Sequence, residues 1–439
     1  MKDLYRLVRS KINTGSVSEL GWVFAGQSAT VVLSFVIIKI LSGMGPKNYG
    51  VYALVVTIAV FIGLSFYGPV AQGYLRFYYH YLEKSTARTF TSLIFRILFV
   101  SSAVLLALTF ILASVKSFFN MPEPLIFFLF AGIYIITSKV SEFFNSVLNL
   151  IRKRKENSIL QGMEKSFIII FLLLLLIMKA LVLTNVFAAL ASVTFMFAAV
   201  KIIVFNKFLP REEKRGAGFV KPAQSEMKVR LFQYASPFFI WGFGAWLQLN
   251  GEKWIINGLL STYDVGIYAV MMALVNALVI VPNNIISDFA TPIIFQQYSD
   301  MENKEKMDSG NHYIRLNMLI IFLLTIFSTA ITYFWGRQLV ILISNKNYTV
   351  YWYLLPLLSF GTGMFLTGQA QTVLGMALNQ PKKYLVPKVL IGVLAIALNF
   401  LLIKYAGING AAYTVLLIGV IYFFYIALIN KRIKRELST

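Results

Sequence analysis

Asn48-Tyr49-Gly50-Val51-Tyr52-Ala53-Leu54 and Asp264-Val265-Gly266-Ile267-Tyr268-Ala269-Val270 are two copies of one phrase. Leu41-Ser42 precedes the first copy and Leu260-Ser261 the second, and each copy follows a long apolar run. Gly50 and Gly266 stand 216 residues apart in a chain of 439, close to half its length. A second echo pairs Val147-Leu148, before the basic turn 152–155, with Val373-Leu374, before Pro381-Lys382-Lys383. The chain therefore reads as a doubled unit, and the placement of the phrase at half-length argues against chance.

Composition says what kind of unit is doubled. The sequence is 58% hydrophobic and 13% charged, where soluble domains carry about 25% charged residues. That argues against a soluble enzyme. With no cysteine and only His80 and His312, disulfide frameworks, thiolate chemistry and Cys- or His-rich metal sites are excluded. A bilayer-crossing helix needs about 20 apolar residues. Twelve such runs are legible: 20–41, 50–70, 91–114, 124–148, 158–178, 182–204, 231–256, 264–290, 316–336, 351–378, 385–404 and 408–430. The first is too long for a signal-peptide core and is read as a retained span.

The formal charge is +22, and its distribution gives an orientation. Counting the N-terminus and every second loop as one side, that side holds 28 of the 40 lysines and arginines, the opposite loops hold 6, and 6 fall within spans. The positive-inside rule then puts both termini in the cytoplasm. Most of the basicity is orientation and not nucleic-acid binding, since it flanks spans and forms no aromatic-interleaved patch. The organisation expected is an all-α membrane protein. Residues 1–19 form a cytoplasmic amphipathic segment, with Leu4, Leu7 and Val8 on one side. A six-helix lobe over 20–204, a polar cytoplasmic linker 205–230, a second lobe over 231–430 and a basic tail 431–439 follow. Six is even, so the halves are parallel repeats about an axis along the membrane normal, with a cavity where they meet.

Ionisable and amide side chains inside spans are functional candidates by default. Span four places Lys139, Glu142, Asn145 and Asn149 at intervals of three to four, one stripe on one helix face. Span five carries Gln161, Glu164 and Lys165; span one carries Gln27, Ser34 and Lys39; span eight carries Asn276, Asn283 and Asn284; span ten carries Thr362, Gln369, Thr372 and Asn379. Two readings stand for Lys139 and Glu142: a cavity-facing site, or an intrahelical pair that neutralises itself. Glu252 and Lys253 read as an interfacial pair near the outer end of span seven more readily than as a substrate contact. Arg96, Lys165 and Lys201 have a blander reading as lysines and arginines that snorkel toward the interface. Asp288, near the inner end of its span, suits a gate as well as ion coupling. No Gly-x-x-x-x-Gly-Lys-Ser/Thr loop is present, so the chain carries no phosphate loop of its own to bind nucleotide.

The loop Met44-Gly45-Pro46-Lys47 leading into the first phrase, with Trp22 and Gly26-Gln27 in span one, resembles the polysaccharide-unit flippases. These belong to the multidrug/oligosaccharidyl-lipid/polysaccharide exporter superfamily. Arg76-Phe77-Tyr78 is similar to the family's Arg-Phe/Tyr turn, and Glu252-Lys253-Trp254-Ile255-Ile256 to its acidic–basic–aromatic step in helix seven, where Asp-Arg is commoner. The resemblance implies a V-shaped pair of six-helix lobes with a central cavity and alternating access. It further implies a non-enzymatic flippase in the bacterial inner membrane, moving oligosaccharide on undecaprenyl pyrophosphate for O-antigen or capsule-type assembly. A polysaccharide polymerase and chain-length machinery are its candidate partners. On this view Arg76, Lys139, Glu142, Asn145, Lys165, Gln27 and Lys39 form the cationic and polar cavity. Glu164, Glu252, Lys253 and Asp288 are coupling or gate candidates, with proton or sodium as the coupled ion and no cofactor. A cation-coupled drug antiporter of the same superfamily is the alternative, although it would want an acidic cavity. A membrane glycosyltransferase or polymerase would want paired carboxylates or a large outer loop, and the outer loops here are short.

Overall fold

Backbone polar groups in hydrocarbon must be satisfied within their own segment, which leaves helices for a chain of apolar runs. The computed structural model describes residues 14–114, 124–209, 224–298, 304–378 and 380–438. The start of the amphipathic segment, most of the expected linker and Asn379 lie outside them. Among the described residues every regular element is helical.

Among the described residues twelve long helices follow the twelve apolar runs in order. They are α1 (Thr14–Ser42), α2 (Pro46–Glu83), α3 (Ala87–Ser114), α4 (Leu125–Leu150), α5 (Arg154–Ile177) and α6 (Leu183–Phe208). The second half holds α7 (Gln224–Leu259), α8 (Thr262–Gln297), α9 (Lys304–Ile343), α10 (Lys346–Ala377), α11 (Leu385–Ala406) and α12 (Ile408–Ser438). Among the described residues ten are long and apolar enough to cross a membrane. In α1 the part Gly26–Ser42 is apolar but shorter. Helix α7 is not among them; polar residues are spread along it, from Arg230 and Gln233 to Gln248, Asn250, Glu252 and Lys253. The protein is a multi-pass membrane protein, and large apolar side chains such as Phe99, Ile177 and Ile240 remain more than 70% exposed, as lipid contact requires.

The chain folds into two compact units. One comprises Met1–Leu41 and Val55–Phe243, the other Ser42–Leu54 and Gly244–Thr439. Helices α2 and α7 each carry the chain from one unit into the other. The core of the first unit is aromatic: Tyr74 stacks on Phe90 at 5.5 Å, donates to or accepts from Thr91 Oγ1 at 2.9 Å, and packs with Tyr78, Phe143 and Phe144.

The repeated phrase explains why residues 42–54 join the second unit. A Cβ on Gly50 would lie 1.9 Å from the carbonyl oxygen of Thr262, and one on Gly266 would lie 2.0 Å from that of Pro46. Pro46 and Thr262 are themselves 216 residues apart, like the two glycines. The first turns of α2 and α8 thus cross backbone to backbone, each copy's glycine against the other copy's carbonyl. Reciprocal contact of this kind is what a local two-fold produces. Ser261 caps α8 by accepting the backbone N–H of Asp264 at 3.2 Å. Around the crossing, Tyr348 Oη and Asn345 Nδ2 both donate to the Ser42 carbonyl at 3.1 Å.

The correspondence continues down both helices. Each contains a π-helical turn, Gly63–Tyr67 in α2 and Asn276–Ile280 in α8, followed one residue later by Pro69 and Pro282. Proline cannot donate to the carbonyl four residues back and crowds it, and a π turn relieves the clash. In α8 the carbonyl so freed, that of Leu278, accepts instead from Ser328 Oγ at 2.8 Å.

Candidate functional site

The stripe on α4 folds as two layers. On its open side Lys139 Nζ donates to both oxygens of Glu142, at 2.7 and 2.8 Å. The lysine side chain is 8% exposed and the glutamate 61%. The pair lines a cavity of about 360 Å³ with Gly63 and Tyr67 of α2 and with Phe143 and Ser146. Gly63, at the head of the π turn, makes room for the lysine: a Cβ there would meet Lys139 Cδ at 2.9 Å.

Behind the stripe lies a closed layer. Lys201 of α6 is fully buried and donates to Ser141 Oγ and to Glu164 Oε2 of α5, both at 2.6 Å. Ser141 donates in turn to Glu164 at 2.9 Å. The snorkelling reading of Lys201 is therefore wrong: its ammonium turns inward onto a carboxylate, because a neighbouring helix supplies one. Lys165 is likewise turned inward, donating to Ser34 Oγ of α1, with Glu164 and Glu142 in electrostatic reach. Farther along, Asn157 Nδ2 donates to Asn149 Oδ1 at 2.9 Å and to the Asn145 carbonyl at 3.2 Å, while Asn145 Oδ1 is buried and unpartnered among the described residues. Three lysines and two glutamates give this cluster a net charge of +1 beside the cavity.

The second unit holds a smaller cavity of about 140 Å³. Its polar wall is Gln248 and Glu252 of α7, Tyr268 of α8, Thr362 of α10, Asn399 of α11 and Thr414 of α12. Glu252 is buried, with Lys253 Nζ at 3.5 Å and that ammonium donating to Asn250 Oδ1 at 3.2 Å. Tyr268 Oη and Asn399 Oδ1 are buried there without a hydrogen-bond partner among the described residues. Glu252 is thus a cavity residue and not merely half of an interfacial pair. Sequence reasoning passed over Asn399, although it is the one amide in the apolar run 385–404. Gln27, Lys39, Arg76 and Asp288 are exposed and line neither cavity. Span ten uses its Gln369 to accept from Tyr422 Oη at 2.9 Å.

Residues 16–298 match the family model described as polysaccharide biosynthesis protein. The chain belongs to that family. No curated protein matches it by sequence. Among solved structures, the chain is similar to the lipid II flippase MurJ in an inward closed conformation. The TM-score is 0.70 at 13% identity, over 95% of this chain and 88% of that one. It is also similar to an inward-facing multidrug resistance MATE transporter of the MOP superfamily, with TM-score 0.67 at 13% identity over 92% and 96% of the two chains. The Vibrio cholerae MATE transporter VcmN gives TM-score 0.63 at 14% identity over 97% and 99%. At these identities the likeness is one of fold. With the family match, it bears out the resemblance to the polysaccharide branch of the exporter superfamily.

Proposed function

We propose that the protein is a flippase that carries oligosaccharide units, linked to undecaprenyl pyrophosphate, from the inner to the outer leaflet of a bacterial cytoplasmic membrane by alternating access. Its product feeds surface polysaccharide assembly of the O-antigen or capsule type. Family membership supports the biosynthetic context. The observation that carries the substrate class is the cluster around Lys139, a net-cationic group beside a cavity in a membrane-spanning unit. Exposed polar groups cost several kcal/mol each in hydrocarbon, so a sugar pyrophosphate needs a polar path with cations along it. Lys139 supplies the cation, and Ser146 and Asn145 extend the polar surface along α4.

The membrane potential, negative inside, favours outward movement of an anion by about 2.3 kcal/mol per charge per 100 mV, or about 4–5 kcal/mol for two charges. Glu252, facing unpartnered Tyr268 and Asn399 oxygens, is the group best suited to exchange a proton or sodium ion for the return step. The drug-antiporter alternative has the same fold behind it, but it would want an acidic cavity, and here lysines outnumber glutamates in the cluster.

Deleting the gene tests the proposal. Lipid-linked repeat units should accumulate on the cytoplasmic leaflet while surface polysaccharide disappears. Normal surface polysaccharide together with lost drug resistance would support the antiporter instead.

A further inference from the structure

We infer that Glu142 is an internal anion that occupies Lys139 when the carrier is empty and is displaced by the phosphate of the substrate. The inference rests on the reading of Lys139 as the phosphate-binding cation. Two Lys–Glu pairs stand side by side and are built differently. In Lys201–Glu164 the lysine is fully buried and the glutamate only 14% exposed, and Ser141 bonds to each. That pair is closed. In Lys139–Glu142 the cation is held in the wall and the carboxylate stands 61% exposed on the cavity side. Both carboxylate oxygens sit on the one ammonium, the contact a phosphate would make with its own two oxygens.

The lysine is the more confined of the two, its side chain 8% exposed against 61% for the glutamate. Its stem packs against Gly63, where even a methyl group would collide with Cδ. An incoming phosphate therefore meets an ammonium held in the wall and an exposed carboxylate of its own sign, and the like charges drive Glu142 aside. When the phosphate leaves, Glu142 returns. The ammonium is then never left unpaired in a low-dielectric wall, a state that is strongly unfavourable. The residue thus weakens substrate binding and speeds release, so that the empty carrier can reset.

The test uses farnesyl pyrophosphate as the probe and the purified full-length chain in detergent micelles at fixed ionic strength, with calorimetric titration. Glu142→Gln and Glu142→Met both keep the volume and remove the charge, and variants that elute as one species with wild-type unfolding temperature qualify. Either should bind the probe about tenfold more tightly, a difference of about 1.4 kcal/mol. Lys139→Ala should abolish binding, and Lys139→Ala/Glu142→Gln should lose the gain. A merely structural role for Glu142 predicts weaker binding, never tighter. Unchanged or weaker binding in both Glu142 variants, with binding still lost in Lys139→Ala, would overturn the internal-anion inference and leave Lys139 as the phosphate site. Wild-type affinity in Lys139→Ala would overturn that site itself and the inference with it. A gain that persists in the double variant would show a diffuse charge effect and also overturn the inference.

Discussion

Lys201 shows how a charge can be structural inside a membrane unit. Removing one partner of a buried pair leaves the other uncompensated, which costs about 3–5 kcal/mol. Lys201→Met should therefore lower the unfolding temperature of the purified protein markedly, and Lys201→Met/Glu164→Met should recover most of the loss. A single variant as stable as wild type would contradict the buried pairing. Glu252 belongs to the other class, a carboxylate facing a cavity. Glu252→Gln should remove the dependence of transport on an imposed proton or sodium gradient, measured in vesicles, while leaving farnesyl pyrophosphate affinity unchanged. The α4 stripe was legible because its members share one helix, where spacing alone places them on a face. The Lys201–Glu164 pair was not, since its partners sit on different helices and no periodicity links them. Glu164 and Lys165 are neighbours in sequence, yet they turn to different helices, one to α6 and the other to α1.

At the scale of the element, α2 and α8 carry the repeat. Their glycines are required by backbone proximity, so Gly50→Ala and Gly266→Ala should each force the crossing apart. We expect neither variant to accumulate as a folded protein, read by size-exclusion elution from detergent. Gly45 is the control. It has φ +85° with nothing within 4 Å of an added Cβ, so Gly45→Ala meets only the backbone cost of about 1–2 kcal/mol. Equal damage at all three positions would argue against a close crossing. The phrase around each glycine was readable in the sequence; that the two copies touch one another was not, because a repeat reports similarity and not contact. Pro282 stands in the sequence inside the run of span eight. Its match with Pro69 emerges only when the π turns are seen to precede both.

For the whole molecule, the apolar runs predicted helices and their order correctly, since a helix satisfies the backbone of a continuous apolar run within its own segment. The run least well served is span seven. Two of its polar residues, Gln248 and Glu252, line the second cavity. The charge distribution makes a separate statement about sidedness. The native chain has no cysteine, so single cysteines at Lys153 and Lys346 can be labelled without background. In intact cells Lys346→Cys should react with an impermeant maleimide and Lys153→Cys should be protected; the reverse would invert the orientation. The central claim is that the cavity lined by Lys139 in the first unit moves a lipid-linked pyrophosphate. Its most direct test is a proteoliposome assay with a fluorescent polyprenyl-pyrophosphate oligosaccharide and an impermeant quencher, under an imposed potential. The account predicts transfer by the wild-type protein and a fall to the protein-free rate in Lys139→Ala at equal insertion. Equal transfer by the two proteins would contradict it.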